Sequence, residues 1–385
     1  MFYILALLLC GISFAPLLLS KLDMWHAQGI FAQIVILIAF SWSFFEKPKF
    51  AVKNIPLGLL HLWIGLNTAY ICYQAQVVGS YDIKHFFVYF NFLCVLILYQ
   101  IIVQYLETSD IMDMMTMMRY VVIATLLMCV LQRFDIAQFF KMFINDPNPP
   151  LFYHMHNNPV VGFIGNGTHL SGFLASTIPL FLWNGKREDY LTLILMGIIL
   201  FYTSTTLNDP AISGFIVALA VWLYWIKREK YKLFATLGIL GVGGYFLYGH
   251  IGNNLFSFNG RLGMWEYYWN LFIKGYPITG FGLGTLNIIY GQTPFAQARH
   301  LHLEYFQYLI ELGVIGLILI FNFINSFFHK KADDPFKTQL CLKACFFGFL
   351  ISCLFNYPSH LWLPATWAVF FYAAFINLKG QDEWA

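Results

Sequence analysis

Glu304-Tyr-Phe-Gln-Tyr-Leu-Ile-Glu-Leu-Gly-Val-Ile-Gly-Leu-Ile-Leu-Ile-Phe-Asn-Phe-Ile-Asn325 carries no charged side chain except Glu304 and Glu311. A helix of this length crosses the ~30 Å hydrocarbon core of a bilayer, which takes ~20 mostly apolar residues. Comparable stretches recur at approximately 3–20, 29–45, 56–74, 85–105, 116–134, 168–184, 190–204, 211–226, 233–249, 338–356 and 361–378. The count is therefore about twelve, or eleven or thirteen if the short seventh and eighth stretches divide differently. Composition agrees: 59% of the 385 residues are hydrophobic, 11% are charged and mean hydropathy is +0.65. A water-soluble domain of this size does not sustain such values. The expected fold is an all-α polytopic transmembrane helical bundle, with residues 1–385 forming a single integral-membrane domain.

Aromatic residues make up 19% of the chain, which suits a protein with belts of rings at the lipid–water boundary. A net charge of +3, with no basic run interleaved with stacking aromatics, excludes nucleic acid as a partner. All seven cysteines, Cys10, Cys72, Cys94, Cys129, Cys341, Cys345 and Cys353, lie in apolar stretches, where they act as small hydrophobes rather than as a disulfide framework or a zinc site. Met1 to Leu19 has no basic leader and reads as a retained first span.

Short cytoplasmic loops hold an excess of Lys and Arg. Loops after the even spans contain Lys47, Lys49 and Lys53, then Lys186 and Arg187, then Lys227, Arg228, Lys230 and Lys232, then Lys330, Lys331 and Lys337; the short loops after odd spans offer only Lys21 and Lys84. Both termini are thus expected in the cytoplasm, with two long connections, 135–167 and 250–303, on the outer face. Long connections inside a compact protein are uncommon unless they carry function. The second is expected to hold short interfacial helices and to roof an active site.

That connection reads Phe258-Asn-Gly-Arg261-Leu-Gly-Met-Trp265-Glu-Tyr-Tyr-Trp269, then Lys274-Gly-Tyr-Pro277, then Gly280-Phe-Gly282-Leu-Gly284. Trp265, Tyr268, Trp269 and Phe272 fall at helical spacing from Arg261, which predicts an interfacial helix with its aromatic face in lipid. Arg261 would sit at phosphate depth, where an arginine either snorkels to lipid headgroups or meets a substrate. The three glycines lack the strand that a dinucleotide fingerprint needs; they serve either a plain turn or a close backbone approach. Beyond Arg299-His300-Leu301-His302, helical periodicity puts His302, Tyr305, Phe306 and Leu309 on one side and Glu304, Tyr308 and Glu311 on the other. Glu311, two turns into the span, is expected to be neutral, hydrogen-bonded or paired with a cation from another span, in a structural role.

An arginine four before a tryptophan, a Gly-x-Gly-x-Gly loop after Pro277, and His302 followed by Glu304-Tyr-x-Gln-x-Leu-x-Glu-x-Gly313-x-x-Gly316 resemble the signature of the bacterial O-antigen ligase and polymerase family. Gly162-Phe-Ile-Gly165-Asn166-Gly-Thr168-His169-Leu-Ser-Gly172, leading to Pro179, is similar to that family's segment opening a mid-chain span. The resemblance implies a glycosyltransferase of the inner membrane, with no cofactor or metal, facing the periplasm. It would move a glycan from an undecaprenyl-pyrophosphate-linked donor to an acceptor hydroxyl on lipid A core or on another glycan. It implies catalytic roles for Arg261, stabilising the leaving pyrophosphate, and for His302, taking the acceptor proton. Arg299, His300, Asn166, His169, Trp265 and Gly282 are expected to border the substrate.

Two positions depart from the family pattern: Leu303 stands where Asn is usual, and Ser204 to Gly214 contains no Ser-Arg pair. Either Arg299 supplies the second positive charge, or pyrophosphate binding is weaker or different in this protein. Protein-glycosylating members often extend further at the C-terminus, so ligase or polymerase is the expected activity. The rival readings are a transporter, which needs ionisable or helix-breaking groups near the midplane of several spans, and a flippase for the same lipid-linked glycan, which needs cations lining a central cavity. His61, Glu311 and Lys343 are the main ionisable groups within spans.

Overall fold

The structure is a computed structural model that describes residues 1–18, 24–46, 55–78, 84–133, 162–163, 167–182, 191–199, 256–288, 301, 303–329, 338–354 and 358–382. Among these residues the regular structure is all helical, without a β-strand. In order come α1 (Phe2–Leu18), α2 (Met24–Ser43), a 3-10 turn (Phe44–Glu46), α3 (Ile55–Val78), α4 (Lys84–Tyr105), α5 (Thr108–Arg133) and α6 (Gly167–Leu182). Residues 191–199 form α7. Then follow α8 (Phe256–Lys274), the single turn α9 (Thr285–Ile288), α10 (Glu304–His329), α11 (Thr338–Ser352), a second 3-10 turn (Pro358–His360) and α12 (Trp362–Asp382). Each described helix outside 250–303 coincides with an expected span. Those expected at 211–226 and 233–249 lie outside the described residues.

Among the described residues, five helical stretches are long and apolar enough to cross a membrane: His26–Ser43, Ile55–Tyr73, Val88–Tyr105, Thr108–Gln132 and Glu304–His329. Shorter apolar helices occupy Phe2–Ala15, His169–Leu182, Thr338–Ser352 and Trp362–Leu378. Their outward faces are oily, with Ile34, Ile38, Leu59, Leu62, Leu66, Ile318 and Phe321 all exposed, as expected where lipid rather than water is the solvent. The protein is a multi-pass membrane protein.

The main core joins α1, α2, α4, α5, α6, α11 and α12. α12 fills its centre: Trp367, Phe370, Phe371 and Phe375 are almost wholly buried. Two polar side chains of α12 reach backbone carbonyls across this core, as an apolar surrounding favours. Trp367 Nε1 donates to Leu9 O at 3.0 Å, and Asn377 Nδ2 reaches the carbonyls of Ile102 and Leu106 where α4 ends. Lys343 donates to Phe328 O at 3.0 Å near the C-terminus of α10, and its ammonium lies over the rings of Phe327, Phe328 and Phe375. A cation is favoured there by the unpaired carbonyls of a helix end and by the ring faces.

A second, smaller core positions the candidate site. Met264, Tyr268 and Phe272 of α8 are buried against Leu286, Leu301 and Ile310. This corrects the expectation of a lipid-facing aromatic stripe. Tyr268 and Phe272 pack on protein, Trp265 is half-buried, and among the four rings Trp269 alone is strongly exposed. Spacing identifies residues that share a face, but lipid and protein interior are equally apolar covers for it.

Candidate active site

α10 is broken at Gly313, whose φ of 72° and ψ of −176° are open only to glycine. The break is filled by the loop 276–282, which splices into the helix through its backbone. Val314 N donates to Pro277 O at 3.0 Å and Ile315 N to Ile278 O at 3.4 Å; in return Phe281 N donates to Ile310 O at 3.0 Å and Gly282 N to Glu311 O at 2.7 Å. α3 completes the joint. Trp63 Nε1 donates to Leu312 O at 3.0 Å and Asn67 Nδ2 to Thr279 O at 2.7 Å. Irregular backbone inside a membrane protein persists where its polar groups find such partners. Of the two uses open to the glycine loop, the close backbone approach is the one observed. Gly280, Gly282 and Gly284 all have positive φ.

Above the break, the first two turns of α10 carry a buried polar cluster. Glu304, 1% exposed, accepts from Ser359 N at 3.1 Å, from the Ser359 hydroxyl, and from His360 Nδ1 at 2.8 Å. Tyr308 stacks on the His360 ring, with centroids 5.8 Å apart, and bonds to the Ser359 hydroxyl. Gln307 Nε2 donates to His360 Nε2 at 3.2 Å and to Glu311 Oε1 at 3.3 Å, while Gln307 Oε1 accepts from Leu301 N at 3.3 Å. Leu286 N also donates to Glu311 Oε1, at 3.4 Å. The grouping of Glu304, Tyr308 and Glu311 on one side follows the periodicity, and Glu311 is hydrogen-bonded as anticipated.

Two influences oppose each other at His360. Burial disfavours its charged form, but the hydrogen bond and charge of Glu304, with Glu311 beyond, hold its pKa above the ordinary histidine value. The Gln307 N–H in turn needs the unprotonated lone pair of Nε2. Although a serine, a histidine and a carboxylate meet here, the Ser359 hydroxyl is bonded to Glu304 and Tyr308. With Glu304, Gln307 and Glu311 all about 1% exposed or less, the cluster suits holding a geometry rather than meeting a substrate.

Leu301 links this cluster to α8. Its N–H is bonded to Gln307, and its carbonyl accepts from Trp265 Nε1 at 2.8 Å. Trp265 lies one helical turn after Arg261, and Leu301 directly precedes His302. The backbone of Arg261 lies within α8; its side chain, and His302, Arg299, His300 and Asn166, lie outside the described residues. Gly282 commits its N–H to Glu311 O. His169, 3% exposed, borders a different crevice between α6, α11 and α12, with Gly172, Ser176, Ser352, Trp367 and Phe371. None of that crevice's lining residues belongs to α8 or α10.

Sequence reading missed the partnership of Glu304 with Ser359 and His360. No spacing rule joins residues 56 apart. Trp63 and Asn67 gave no signal either, being ordinary members of an apolar span.

The fold and site define an all-helical, multi-pass membrane protein with a broken helix braced by a glycine loop. Residues 191–321 match the family model described as O-antigen ligase. The matched stretch takes in Arg261, the glycine loop, His302 and the break at Gly313, though less than half of the chain. It supports membership of the O-antigen ligase and polymerase family, and with the apolar helices it supports a membrane glycosyltransferase of that type, acting on lipid-linked glycan and acceptor. No curated protein matches the chain.

Proposed function

We propose that this protein transfers a glycan from an undecaprenyl-pyrophosphate donor to an acceptor hydroxyl at the periplasmic face of the inner membrane, as an O-antigen ligase or a polysaccharide polymerase. Both termini would be cytoplasmic, and residues 250–303 would roof the site. The observation that carries the reading is the Trp265–Leu301 hydrogen bond. It couples the helix that contains Arg261 to the residue preceding His302, within the stretch that matches the O-antigen ligases. In this reading Arg261 stabilises charge growing on the leaving pyrophosphate. His302 accepts the acceptor's proton as its oxygen attacks the anomeric carbon from the side opposite the diphosphate, with inversion and without a metal. Arg299 contributes a second positive charge, His300 and Asn166 border the sugar, and the polyprenyl tail stays in lipid.

Deletion of the gene and electrophoresis of the cell's lipopolysaccharide distinguishes the two activities. Bare core with accumulated lipid-linked polymer identifies a ligase; a single repeat on the core identifies a polymerase. Complementation with His302→Ala or Arg261→Ala should restore membrane insertion without transfer. Full activity from either variant would remove that residue from the mechanism, and unaltered surface glycan in the deletion strain would remove both activities.

A further inference from the structure

The strongest unassigned feature is the line of contacts Glu304, His360, Gln307, Leu301, Trp265. Each link is a hydrogen bond between groups held on different elements: α10, the turn 358–360, the segment before α10, and α8. Its middle member has no freedom to turn. Gln307 uses its two N–H groups on His360 and Glu311 and its oxygen on Leu301. Rotating the amide by half a turn would face N–H against N–H at Leu301 and oxygen against oxygen at Glu311. The far end is equally fixed, because Glu304 is bonded to Ser359 through backbone and side chain, and its own N–H donates to Cys353 O at 2.9 Å.

We propose that Glu304, His360 and Gln307 are positioning residues, a chain whose last bond holds the Leu301 backbone against Trp265 and so sets the separation of the two segments carrying the catalytic groups. The inference rests on the glycosyl-transfer reading above. None of the three touches substrate; they act through Leu301. Small displacements of a reacting group cost rate steeply, about a hundredfold for 1 Å, so a positioning role shows in turnover.

The test uses the full chain in proteoliposomes containing lipid-linked glycan extracted from the source cell's membranes, with Gln307→Met, His360→Gln and Glu304→Gln beside His302→Ala. Gln307→Met should lower kcat about tenfold to a hundredfold with KM for the donor nearly unchanged, and His360→Gln should lower it less. Amide hydrogen exchange at Leu301 should accelerate in both, with exchange in α12 unchanged. Unchanged kcat in Gln307→Met while His302→Ala is inactive would overturn the positioning role. So would unaltered exchange at Leu301. Full activity of His302→Ala would instead overturn the catalytic reading, and the exchange result would still report on the chain. If Gln307→Met does not insert, the same two measurements on His360→Gln decide the matter.

Discussion

Gly280 and Gly313 meet backbone to backbone, each with positive φ, at 77° and 72°. A Cβ on Gly280 would lie 2.5 Å from Gly313 N, and one on Gly313 would lie 2.6 Å from Gly280 N. The obstructing atoms are main chain, so no rotamer change relieves them. The break in α10 and the loop that fills it are thus one interlocked unit.

Alanine at either glycine should therefore be costly. The left-handed conformation alone costs about 1–3 kcal/mol for a residue with a side chain, and separation of the loop from α10 would leave the amides of Val314 and Phe281 unpaired, about 1–3 kcal/mol each. Gly313→Ala and Gly280→Ala are each expected to reduce the amount of folded protein in membranes and to lower the unfolding temperature in detergent. Gly197, with no neighbour within 4 Å of an added Cβ, provides the control, since Gly197→Ala should fold normally.

Trp265 offers a finer probe, because phenylalanine keeps an aromatic ring there while removing the donor to Leu301. Trp265→Phe should cost about 0.5–1.5 kcal/mol of stability and a larger share of transfer, with kcat about tenfold lower. Equal turnover in the variant and the parent, measured at equal membrane abundance, would show that the α8–Leu301 link has no part in the reaction.

How much of this was legible in the sequence differs between fold and site. Apolar length alone located every described helix outside 250–303, because a bilayer imposes one long period that hydropathy reads directly. The grouping of Glu304, Tyr308 and Glu311 followed from helical periodicity. The environment of Tyr268 and Phe272 did not, since an apolar face gives the same pattern whether lipid or protein covers it. The Glu304–His360 pair and the Trp63 bond to Leu312 O were equally hidden. They join residues 56 and 249 apart, and long-range pairing depends on packing that no local spacing encodes.

Lys343 separates a transport role from a structural one. A transporter would use a buried cation in a span for its cargo, but this ammonium is held by Phe328 O and three aromatic faces. Lys343→Met retains the packing of the stem and should leave glycan transfer unchanged at equal protein abundance. Lys343→Ala also removes that packing and should lower the unfolding temperature. Loss of transfer in a well-folded Lys343→Met protein would argue for a role of the cation itself.

His360 ties stability and rate to pH in opposite senses. Burial works against its charge, but Glu304 and then Glu311 hold its folded-state pKa above the ordinary value of 6.5. The native state then binds this proton more tightly than the unfolded chain does, so its contribution to stability is complete below about pH 6.5 and is lost as pH rises through the folded pKa. Protonated Nε2, however, cannot accept from Gln307, so the link to Leu301 is intact only above that same pKa. The detergent-solubilised protein is expected to unfold at progressively lower temperature as pH rises from about 6.5 through the folded pKa, while kcat rises as pH passes through that same pKa. In His360→Gln the stability trend should flatten, and the remaining rise in kcat should follow His302 alone. If stability and turnover moved in the same direction through this range in the parent protein, His360 would not be the group that joins them.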